Sequence, residues 1–406
     1  MPVLRLRAAI LGGFSAGAIL FCVHQTQAAE IPRFEAREID KHVGEVCYAV
    51  TTADVDGDKR PDLVAVTENR VVWYQNPDWK LREIIANATD RDNVCIAPHD
   101  IDGDGQVDFA LGAGWLNNRH LGTIHWLSRG KSLDDPWRVH AIGRESWTHR
   151  MRFGDILGTG KPQLIVSPLN KTQGEGVRVL AFEIPKKPAT EPWEISVIDE
   201  SLNAMHNHWT GDLDGDKQTD LITASMEGVF LFQKDKSGKL QRTKIGEGAP
   251  GPAEPQKSGA GEIKVGRFKD GRPFIATVEP MHGNQIAVYT PPGADGTGTW
   301  TRHLLDSTLG RGHAVGVGDV DHDGTDELII GHSDKGTGNP SGPGVFIYDP
   351  ADDTGAKWTK HVVDNGGIAT EDLVVEDFNG DGWPDIAAGG RATHNVKVYL
   401  NLGAGK

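Results

Sequence analysis

The sequence predicts an all-β protein, a seven-bladed β-propeller of four-stranded blades that is closed by its N-terminal strand. An aspartate-rich motif recurs along the chain at intervals of roughly fifty residues, starting at residues 54, 100, 155, 212, 267, 319 and 377. Each repeat contains four short segments with the alternation and β-branched content of strands. Four strands in a repeat of this length are typical of a propeller blade.

The same four segments follow one another in each repeat. A short β-type segment leads into the aspartate loop, and an apolar segment such as DLVAV or ELIIG leaves it. An alternating segment such as VVWYQN or VFIYDP comes third, and the fourth usually opens with tryptophan, as in WKLREII. The seventh repeat stops after its third segment, whereas RFEAREID (33–40) precedes the first repeat. This orphan strand is predicted to complete the seventh blade, which removes the open edge of a linear array.

Composition and the N-terminal segment limit the classes of function that the protein can have. The net charge of −15 argues against nucleic acid as a partner, because phosphate binding needs a basic surface. Residues 1–28 combine two arginines, an apolar stretch and small residues, which predicts a cleaved signal peptide and a secreted or periplasmic protein. Residues 29–406 are then one propeller domain. No later segment is long and apolar enough to predict membrane insertion.

Two cysteines, Cys47 and Cys95, follow the predicted cleavage site. An oxidising compartment permits a disulfide between them. Two buried free thiols are the alternative, and the sequence leaves both open, as it does the oligomeric state.

The aspartate loops are predicted to bind calcium. Carboxylates at positions 1, 3, 5 and 9 of a tight turn converge on one point, and Ca²⁺ takes six to eight oxygen ligands. An EF-hand is excluded because the flanks are strands and position 12 lacks the bidentate glutamate. The third and fifth loops have lost the pattern, which leaves up to five structural calcium ions. The predicted ligands are Asp54, Asp56, Asp58, Asp62, Asp100, Asp102, Asp104, Asp108, Asp212, Asp214, Asp216, Asp220, Asp319, Asp321, Asp323, Glu327, Asp377, Asn379, Asp381 and Asp385.

A second set of polar residues lies six positions before each loop. If the loop ends the inner strand, this position begins it, on the opposite face and beside the central channel. The seven residues are Tyr48, Val94, His149, His206, Gly261, His313 and Glu371. Four positions before the loops the residues are apolar in every repeat except the fourth, which has His208.

The loops between second and third strands should emerge on the same face. They contribute His282, His332, Arg391 and His394, which we interpret as substrate-binding residues. Neutral imidazoles with a carboxylate suit Zn²⁺ or a similar divalent ion, and histidine also carries protons near neutral pH. A hydrogen-bonded polar plug in the channel is the alternative interpretation.

The loops resemble FG-GAP or VCBS-type calcium repeats over nearly the whole mature chain. The segments THRMRFGD, MHNHWTGDLDGD, GRGHAVGVGDVDHDG and ATEDLVVEDFNGDGWPDIAAGGRATHNVKVYLN further resemble the propeller domain of the aldos-2-ulose dehydratases. That resemblance implies a metal-dependent site that eliminates water from keto sugars such as 1,5-anhydrofructose. It implies that the metal and catalytic residues are His149, His206, His208, His313 and Glu371, to which we add Tyr48. Fungal members carry cupin domains that this sequence does not contain.

The expected function is therefore a metal-dependent carbohydrate dehydratase or lyase that performs β-elimination. A carbonyl or carboxylate is polarised by the metal or by Arg391, and a histidine or Tyr48 moves the proton. A uronate polysaccharide lyase of the ulvan type is the first alternative. The second is a non-catalytic calcium-stabilised propeller that binds a glycan or a protein.

Overall fold

The computed structural model describes residues 30–115, 122–171, 176–293 and 299–403. Within them lie seven four-stranded antiparallel sheets, which confirms the predicted fold class. The first strand of each sheet contacts the first strands of its two neighbours, and the contacts run round a closed ring. The predicted signal peptide, residues 1–28, lies outside the described residues. No helix in the described part of the chain is long and apolar enough to cross a bilayer.

Each blade takes four strands. Blade 1 contains β2–β5, blade 2 β6–β9, blade 3 β10–β13, blade 4 β14–β17, blade 5 β18–β21, blade 6 β22–β25, and blade 7 β26–β28 with β1. The strands are β1 (Phe34–Asp40), β2 (Cys47–Ala53), β3 (Asp62–Thr67), β4 (Arg70–Gln75), β5 (Lys80–Ala86), β6 (Cys95–His99), β7 (Asp108–Ala113), β8 (Thr123–Ser128), β9 (Arg138–Arg144), β10 (Thr148–Gly154), β11 (Gln163–Pro168), β12 (Val177–Glu183), β13 (Glu194–Leu202), β14 (Met205–Gly211), β15 (Asp220–Ser225), β16 (Gly228–Lys234), β17 (Leu240–Gly246), β18 (Glu262–Arg267), β19 (Pro273–Glu279), β20 (Gln285–Thr290), β21 (Thr301–Asp306), β22 (Gly310–Gly318), β23 (Glu327–Asp334), β24 (Gly344–Pro350), β25 (Trp358–Asn365), β26 (Thr370–Glu376), β27 (Asp385–Gly390) and β28 (Val396–Asn401).

The core lies between blades. Second strands such as β3, β7 and β27 are buried along their whole length, because neighbouring blades cover both of their faces. Phe274 of blade 5 and Leu328 of blade 6, for example, belong to one hydrophobic cluster. The outer strands alternate between half-buried and exposed residues, as expected at the rim. The apolar second segments of the repeats are therefore the main source of packing energy.

The seventh blade is completed by both ends of the chain. Strand β1 pairs antiparallel with β28, from Phe34 opposite Asn401 to Asp40 opposite Val396. This confirms the closure predicted from the orphan N-terminal strand. The inner strand of this blade, β26, contacts β2 of blade 1 and β22 of blade 6, so the ring has no open edge at this point.

A β-bulge near the start of the inner strand determines which side chains face the channel. Two consecutive residues of the inner strand oppose one residue of the second strand, which re-aims the side chains. In the described chain, five inner strands have this register shift, and the extra residues are Tyr48, His149, His206, His313 and Glu371. These are the polar residues six positions before the loops.

Cys47 and Cys95 are buried free thiols, so the structure shows no disulfide between them. The Sγ atoms would clash with a side chain at Gly389 and at Gly112 respectively, which shows that each thiol fills a glycine gap in the core. Burial raises the pKa of Cys95 to about 12, which makes it an unreactive packing residue.

Candidate functional site

A small cavity of about 30 Å³ lies at the end of the channel where the inner strands begin. Its walls come from six of the seven blades, and four of the bulged inner-strand residues converge there. Two turns between second and third strands add His282 and Arg391 to the walls. The described residues that line it are Tyr48, Val94, Trp115, His149, Arg150, His282, Arg311, His313, Glu371 and Arg391.

Three histidines converge beside this cavity. His206, His282 and His313 each offer a ring nitrogen within 4.8 Å of the others. The Nε2 atoms of His206 and His282 are 3.0 Å apart, and the rings of His282 and His313 stack with centroids 4.9 Å apart. We refer to these three residues as the histidine trio. His149 lies next to it, with its ring centroid 4.6 Å from that of His206.

Backbone carbonyls fix the orientation of two of the imidazoles. His149 Nδ1 lies 2.9 Å from the carbonyl oxygen of His206, and His313 Nδ1 lies 2.6 Å from that of Glu371. A carbonyl only accepts hydrogen bonds, so each Nδ1 carries the hydrogen. The lone pair is then on Nε2. This second hydrogen bond is typical of histidines that ligate metals.

The surroundings of His149, His282 and His313 favour the neutral form of each imidazole. Burial, followed by the neighbouring positive Arg150, holds the pKa of His149 well below its usual range. Burial and then His206 have the same effect on the pKa of His313. For His282 the same two causes lower the pKa to about 2. Metal ligation needs neutral imidazole, so this environment keeps the ligand form available.

Glu262 lies behind the histidine trio and was not identified from the sequence. Its Oε1 is 2.8 Å from His206 Nδ1, off the axis of the ring N–H bond, and 3.0 Å from the Arg150 guanidinium. The Asn207 side-chain amide donates a hydrogen bond to Oε2. Burial alone would raise the pKa of Glu262, but Arg150 and His206 outweigh it and hold the pKa well below its usual range. Glu262 is therefore a buried carboxylate that supports His206 from outside the trio.

Glu371 is held between two arginines. Arg311 donates to Oε2 at 2.7 Å and Arg391 to Oε1 at 2.5 Å, while His313 Nε2 lies 3.6 Å from Oε1. The carboxylate borders the trio without belonging to it. Two guanidinium groups on one carboxylate leave a surplus positive charge at the cavity wall.

The cavity also has aromatic and strained walls. Trp115 packs 5.6 Å from His149, and its buried indole Nε1 has no hydrogen-bond partner among the described residues. Trp147, His282 and Arg311 adopt positive φ values of 62°, 56° and 53°. Residues other than glycine in this region cost roughly 1–3 kcal/mol each, and they cluster at functional sites.

Three residues predicted for the site are placed elsewhere. His208 is fully buried between blades 3 and 4, with Nδ1 2.8 Å from Ser167 Oγ, because the bulge at His206 turns the next-but-one side chain into the core. His332 stacks on Phe346 within blade 6. His394 packs against His42. Tyr48, His149, His206, His282, His313, Glu371 and Arg391 are brought together.

The residues of the trio fit a divalent transition metal. Two nitrogens that ligate one zinc ion at roughly 2.0–2.1 Å lie roughly 3 Å from each other, as those of His206 and His282 do. His313 supplies the third nitrogen with its tautomer already set. A trio of nitrogens with open positions is also the ligand set of catalytic zinc sites.

The aspartate loops lie at the other end of the inner strands. In each of the five intact loops the ninth residue accepts a hydrogen bond from the backbone N–H of the second, as Asp62 does from Val55 at 2.9 Å. Four loops bring three carboxylates together, and these groups are Asp54, Asp56 and Asp58; Asp100, Asp102 and Asp108; Asp212, Asp214 and Asp220; and Asp319, Asp321 and Glu327. In the seventh repeat, Asp377, Asn379 and Asp381 make the same turn.

The loop of blade 6 shows how well a cation fits. Asp319 Oδ1, Asp321 Oδ2 and Glu327 Oε1 are buried and have no hydrogen-bond partner among the described residues. Burial, and then the charge of Asp321, raises the pKa of Glu327 to about 10. Unpaired buried carboxylates are costly, and an oxygen-preferring cation such as Ca²⁺ would satisfy all three.

The two altered loops satisfy their oxygens internally. In blade 3 the Gln163 amide donates to Asp155 Oδ1 at 3.2 Å and to Thr159 Oγ1 at 2.9 Å. In blade 5 the guanidinium of Arg267 donates to the backbone oxygen of Gly271 at 3.1 Å. These two loops therefore contain a side-chain hydrogen-bond donor, whereas the other five loops bring carboxylates together.

Parts of the chain match known protein families in sequence. Residues 121–292 match the family described as aldos-2-ulose dehydratase, β-propeller domain, and residues 54–111 match the FG-GAP-like repeat. The chain is 29% identical over 272 residues to aldos-2-ulose dehydratase of Phanerodontia chrysosporium, an alignment that covers 61% of this chain and 30% of that protein. It is 25% identical over 228 residues to integrin alpha-PS2 of Drosophila melanogaster, covering 48% and 16%. The chain therefore spans less than a third of the aligned relatives.

Solved structures share the fold. An Agrocybe aegerita lectin that recognises non-reducing terminal N-acetylglucosamine superimposes with a TM-score of 0.52 at 14% identity, covering 84% of this chain and 88% of the lectin. BBS1N in its complex with ARL6DN gives 0.53 at 13% identity, covering 92% and 98%. The chain is thus a seven-bladed propeller with FG-GAP-like repeats that is related in sequence to the propeller domain of aldos-2-ulose dehydratase.

Proposed function

We propose that this chain is a metal-dependent carbohydrate dehydratase that performs β-elimination on a keto sugar at the end of the channel beside the histidine trio, where the cavity of about 30 Å³ has room for one oxygen-bearing group of the substrate. The observation that carries the proposal is the meeting of three neutral imidazoles, an arginine-held carboxylate and a tyrosine in one small cavity. The segment matched to the dehydratase family, 121–292, contains His149, His206, Glu262 and His282. The matched segment therefore contains part of the proposed site, whereas Tyr48, His313 and Glu371 lie outside it.

The elimination removes a proton from the carbon next to a carbonyl and expels a hydroxyl group from the next carbon. The C–H electron pair becomes the new double bond, and the hydroxyl leaves with a proton as water. A divalent ion on His206, His282 and His313 would polarise the carbonyl and stabilise the enolate charge. The remaining tasks are to accept one proton and to donate another.

His149 is suited to accept the proton. Its Nδ1–H donates to the His206 carbonyl, so the lone pair is on Nε2. The ring lines the cavity and is held by Trp115. A positioned base of this kind contributes roughly 10²–10⁴-fold to the rate.

Tyr48 is suited to donate the second proton. Burial, and then the charge of Asp92, raises the pKa of the Tyr48 phenol, so it remains protonated near neutral pH. The Arg391 guanidinium lies 5.9 Å from the ring centroid. Tyr48 thus takes the acid role rather than the base role in this proposal.

The test is incubation of the purified, metal-containing protein with 1,5-anhydrofructose while ultraviolet absorbance is recorded for a conjugated product. We expect turnover in the unmodified protein and a loss of roughly 10²–10⁴-fold in kcat for His149→Gln and for Tyr48→Phe. Tyr74→Phe is the matched control, because its buried phenol lies in blade 1, where it donates to Asp40 of blade 7. No product from a metal-loaded protein would contradict the dehydratase proposal.

A uronate lyase is the second candidate. It is favoured by Arg311 and Arg391, which share one carboxylate and leave a positive charge for a substrate carboxylate. Uronate polysaccharides belong in the same assay, since their cleavage also creates an absorbing double bond. If neither substrate class reacts and either a glycan array or a protein pull-down gives a ligand, the non-catalytic propeller is the better description.

We also propose that calcium occupies the five intact aspartate loops and that the protein works outside the cytoplasm. The unpaired carboxylate oxygens of the blade 6 loop support the first point. The composition of residues 1–28 supports the second. The two fit together, because extracellular modules bind calcium at roughly 10⁻⁴–10⁻³ M.

A further inference from the structure

A second and larger cavity fills the channel on the other side of Arg150. Its volume is about 300 Å³, within the range of small-molecule sites. Inner strands from all seven blades line it, and it extends toward the strand ends that lead into the aspartate loops. Its polar lining includes Thr51, Arg152, Asn207, Thr210, Lys264 and Asp372.

The two cavities are separate. Arg150 lines both, and its guanidinium lies 3.0 Å from Glu262 Oε1. Asn207 donates to the same carboxylate and accepts a hydrogen bond from Arg152 at 3.0 Å. This buried partition separates the larger cavity from the histidine trio, so a ligand there is not the substrate of the proposed elimination.

The larger cavity is lined by more positive than negative side chains. Arg150, Arg152 and Lys264 are cationic, whereas Glu262 and Asp372 are anionic. Glu262 forms an ion pair with Arg150. Asp372 accepts hydrogen bonds from the backbone N–H groups of Val50 and Leu373, both at 3.0 Å. The Lys264 ammonium makes no hydrogen bond or ion pair with any described residue.

We propose that this cavity binds a small oxyanion, a sulfate or carboxylate group held by Arg152 and Lys264. Arg152 and Lys264 are half-buried, and the three cations of the cavity exceed its two carboxylates by one positive charge, which an anion between Arg152 and Lys264 would neutralise. A guanidinium and an ammonium are the groups that bind such anions most strongly. The cavity is large enough for the anion to be part of a sugar acid.

The directions of the pKa shifts of Lys264 and Arg152 agree with an anion site in this cavity. Burial, and then the positive charge of Arg152, lowers the pKa of Lys264 to about 8. Burial and then Arg150 lower the pKa of Arg152 to about 10. An anion in the cavity would favour the charged form of both groups.

The experiment is calorimetric titration of the full protein with sulfate and, separately, with glucuronate. We expect saturable binding that is about tenfold weaker in Lys264→Met and retained in Lys264→Arg. Asp372→Asn should tighten binding several-fold, because it removes the opposing charge. Lys236→Met, an exposed lysine in blade 4, is the control and should bind like the unmodified protein.

The opposite signs for Lys264→Met and Asp372→Asn separate charge recognition from damage to the fold. Stronger binding of glucuronate than of sulfate would assign the cavity to a sugar acid, and the reverse would assign it to an inorganic ion. The proposal is overturned if neither anion gives saturable heat up to about 20 mM. It is equally overturned if Lys264→Met binds as tightly as the unmodified protein.

Discussion

Glu262 Oε1 lies 2.8 Å from Nδ1 of His206, inside the wall that separates the two cavities of the channel. Glu262 is not a member of the histidine trio. Its carboxylate contacts His206 at Nδ1, the ring nitrogen opposite to the one that faces His282. Carboxylates behind metal-binding histidines orient the ring and raise its basicity. This relationship links the metal content of the protein to a residue that touches neither metal nor substrate in our proposal.

Replacing Glu262 by glutamine should lower transition-metal affinity about 10–100-fold, because the charge behind His206 is lost. The measurement is metal retained after dialysis against a graded chelator, by mass spectrometry. Asp364→Asn is the matched control, since that buried carboxylate pairs with Lys397 at 2.8 Å in another part of the ring. Equal metal loss in both variants would mean that general destabilisation, not support of His206, explains the effect.

The geometry of the histidine trio predicts which histidines bind the transition metal and which only stabilise the fold. His282→Ala and His313→Ala should each abolish stoichiometric binding of the transition metal, because each removes one of three nitrogens that lie within 4.8 Å of one another. His208→Ala should keep the metal and lose stability instead, since its ring fills the core beside Ser167. Elemental analysis together with thermal unfolding distinguishes the two. A variant at His208 that loses the metal while His282→Ala keeps it would refute this assignment.

Calcium should stabilise the fold through the intact loops only. Chelation should lower the melting temperature, because a ligand at 100 times its Kd adds about 2.7 kcal/mol to the free energy of unfolding. Glu327→Gln should lower the calcium content by one ion, since its Oε1 is one of three unpaired oxygens in that loop.

The control for this experiment is at the same loop position in blade 3. Gln163→Ala should destabilise the protein without changing its calcium content, because an amide already satisfies that loop. A calcium count that Glu327→Gln leaves unchanged would show that the blade 6 loop does not bind the ion.

Asp306 should make stability depend on acid pH. Burial alone would raise its pKa, but hydrogen bonds from Thr308, Tyr348 and Lys360 outweigh burial and hold the pKa below its usual range. A carboxyl with a depressed folded pKa stabilises above its unfolded pKa of about 3.9 and loses that contribution as the pH falls through the folded value.

Asp306→Asn should therefore cost about 1–3 kcal/mol at pH 7 and progressively less below about pH 4. Urea unfolding at several pH values measures the difference from the unmodified protein. Asp334→Asn, an exposed carboxylate, is the control and should show no such trend. A difference that stays constant down to acid pH would rule out the ionised carboxylate as its cause.

The repeat predicted the architecture fully, because seven copies of one pattern report the same strand order seven times. It also located Tyr48, His149, His206, His313 and Glu371 at one end of the channel, since a fixed offset from the loop marks the start of each inner strand. Simple strand alternation failed beyond that point. Alternation would put His206 and His208 on one face, whereas the bulge puts His206 and Asn207 toward Glu262 and turns His208 into the core.

Glu262 and Arg150 were missed for the same reason. They lie five positions before their loops, where simple alternation points the side chain away from the face that carries the histidines. The sequence did contain a signal, because four repeats place Arg150, Asn207, Glu262 and Asp372 at this offset. His282 was expected to touch substrate. Its approach to within 3.0 Å of His206 depends on a turn with positive φ, which no periodic pattern reports.

The pairing of β1 with β28 has a consequence for when the site is assembled during synthesis. Glu371 and Arg391 belong to the blade that needs the first and last strands together. A nascent chain can stack the earlier blades as they emerge, but the arginine-held carboxylate takes its position only after the ring closes. The histidine trio lies on blades 4 to 6, so its assembly does not require the ring to be closed. Ligand-dependent protection of partly synthesised chains should therefore appear in two stages, metal first and carbohydrate last.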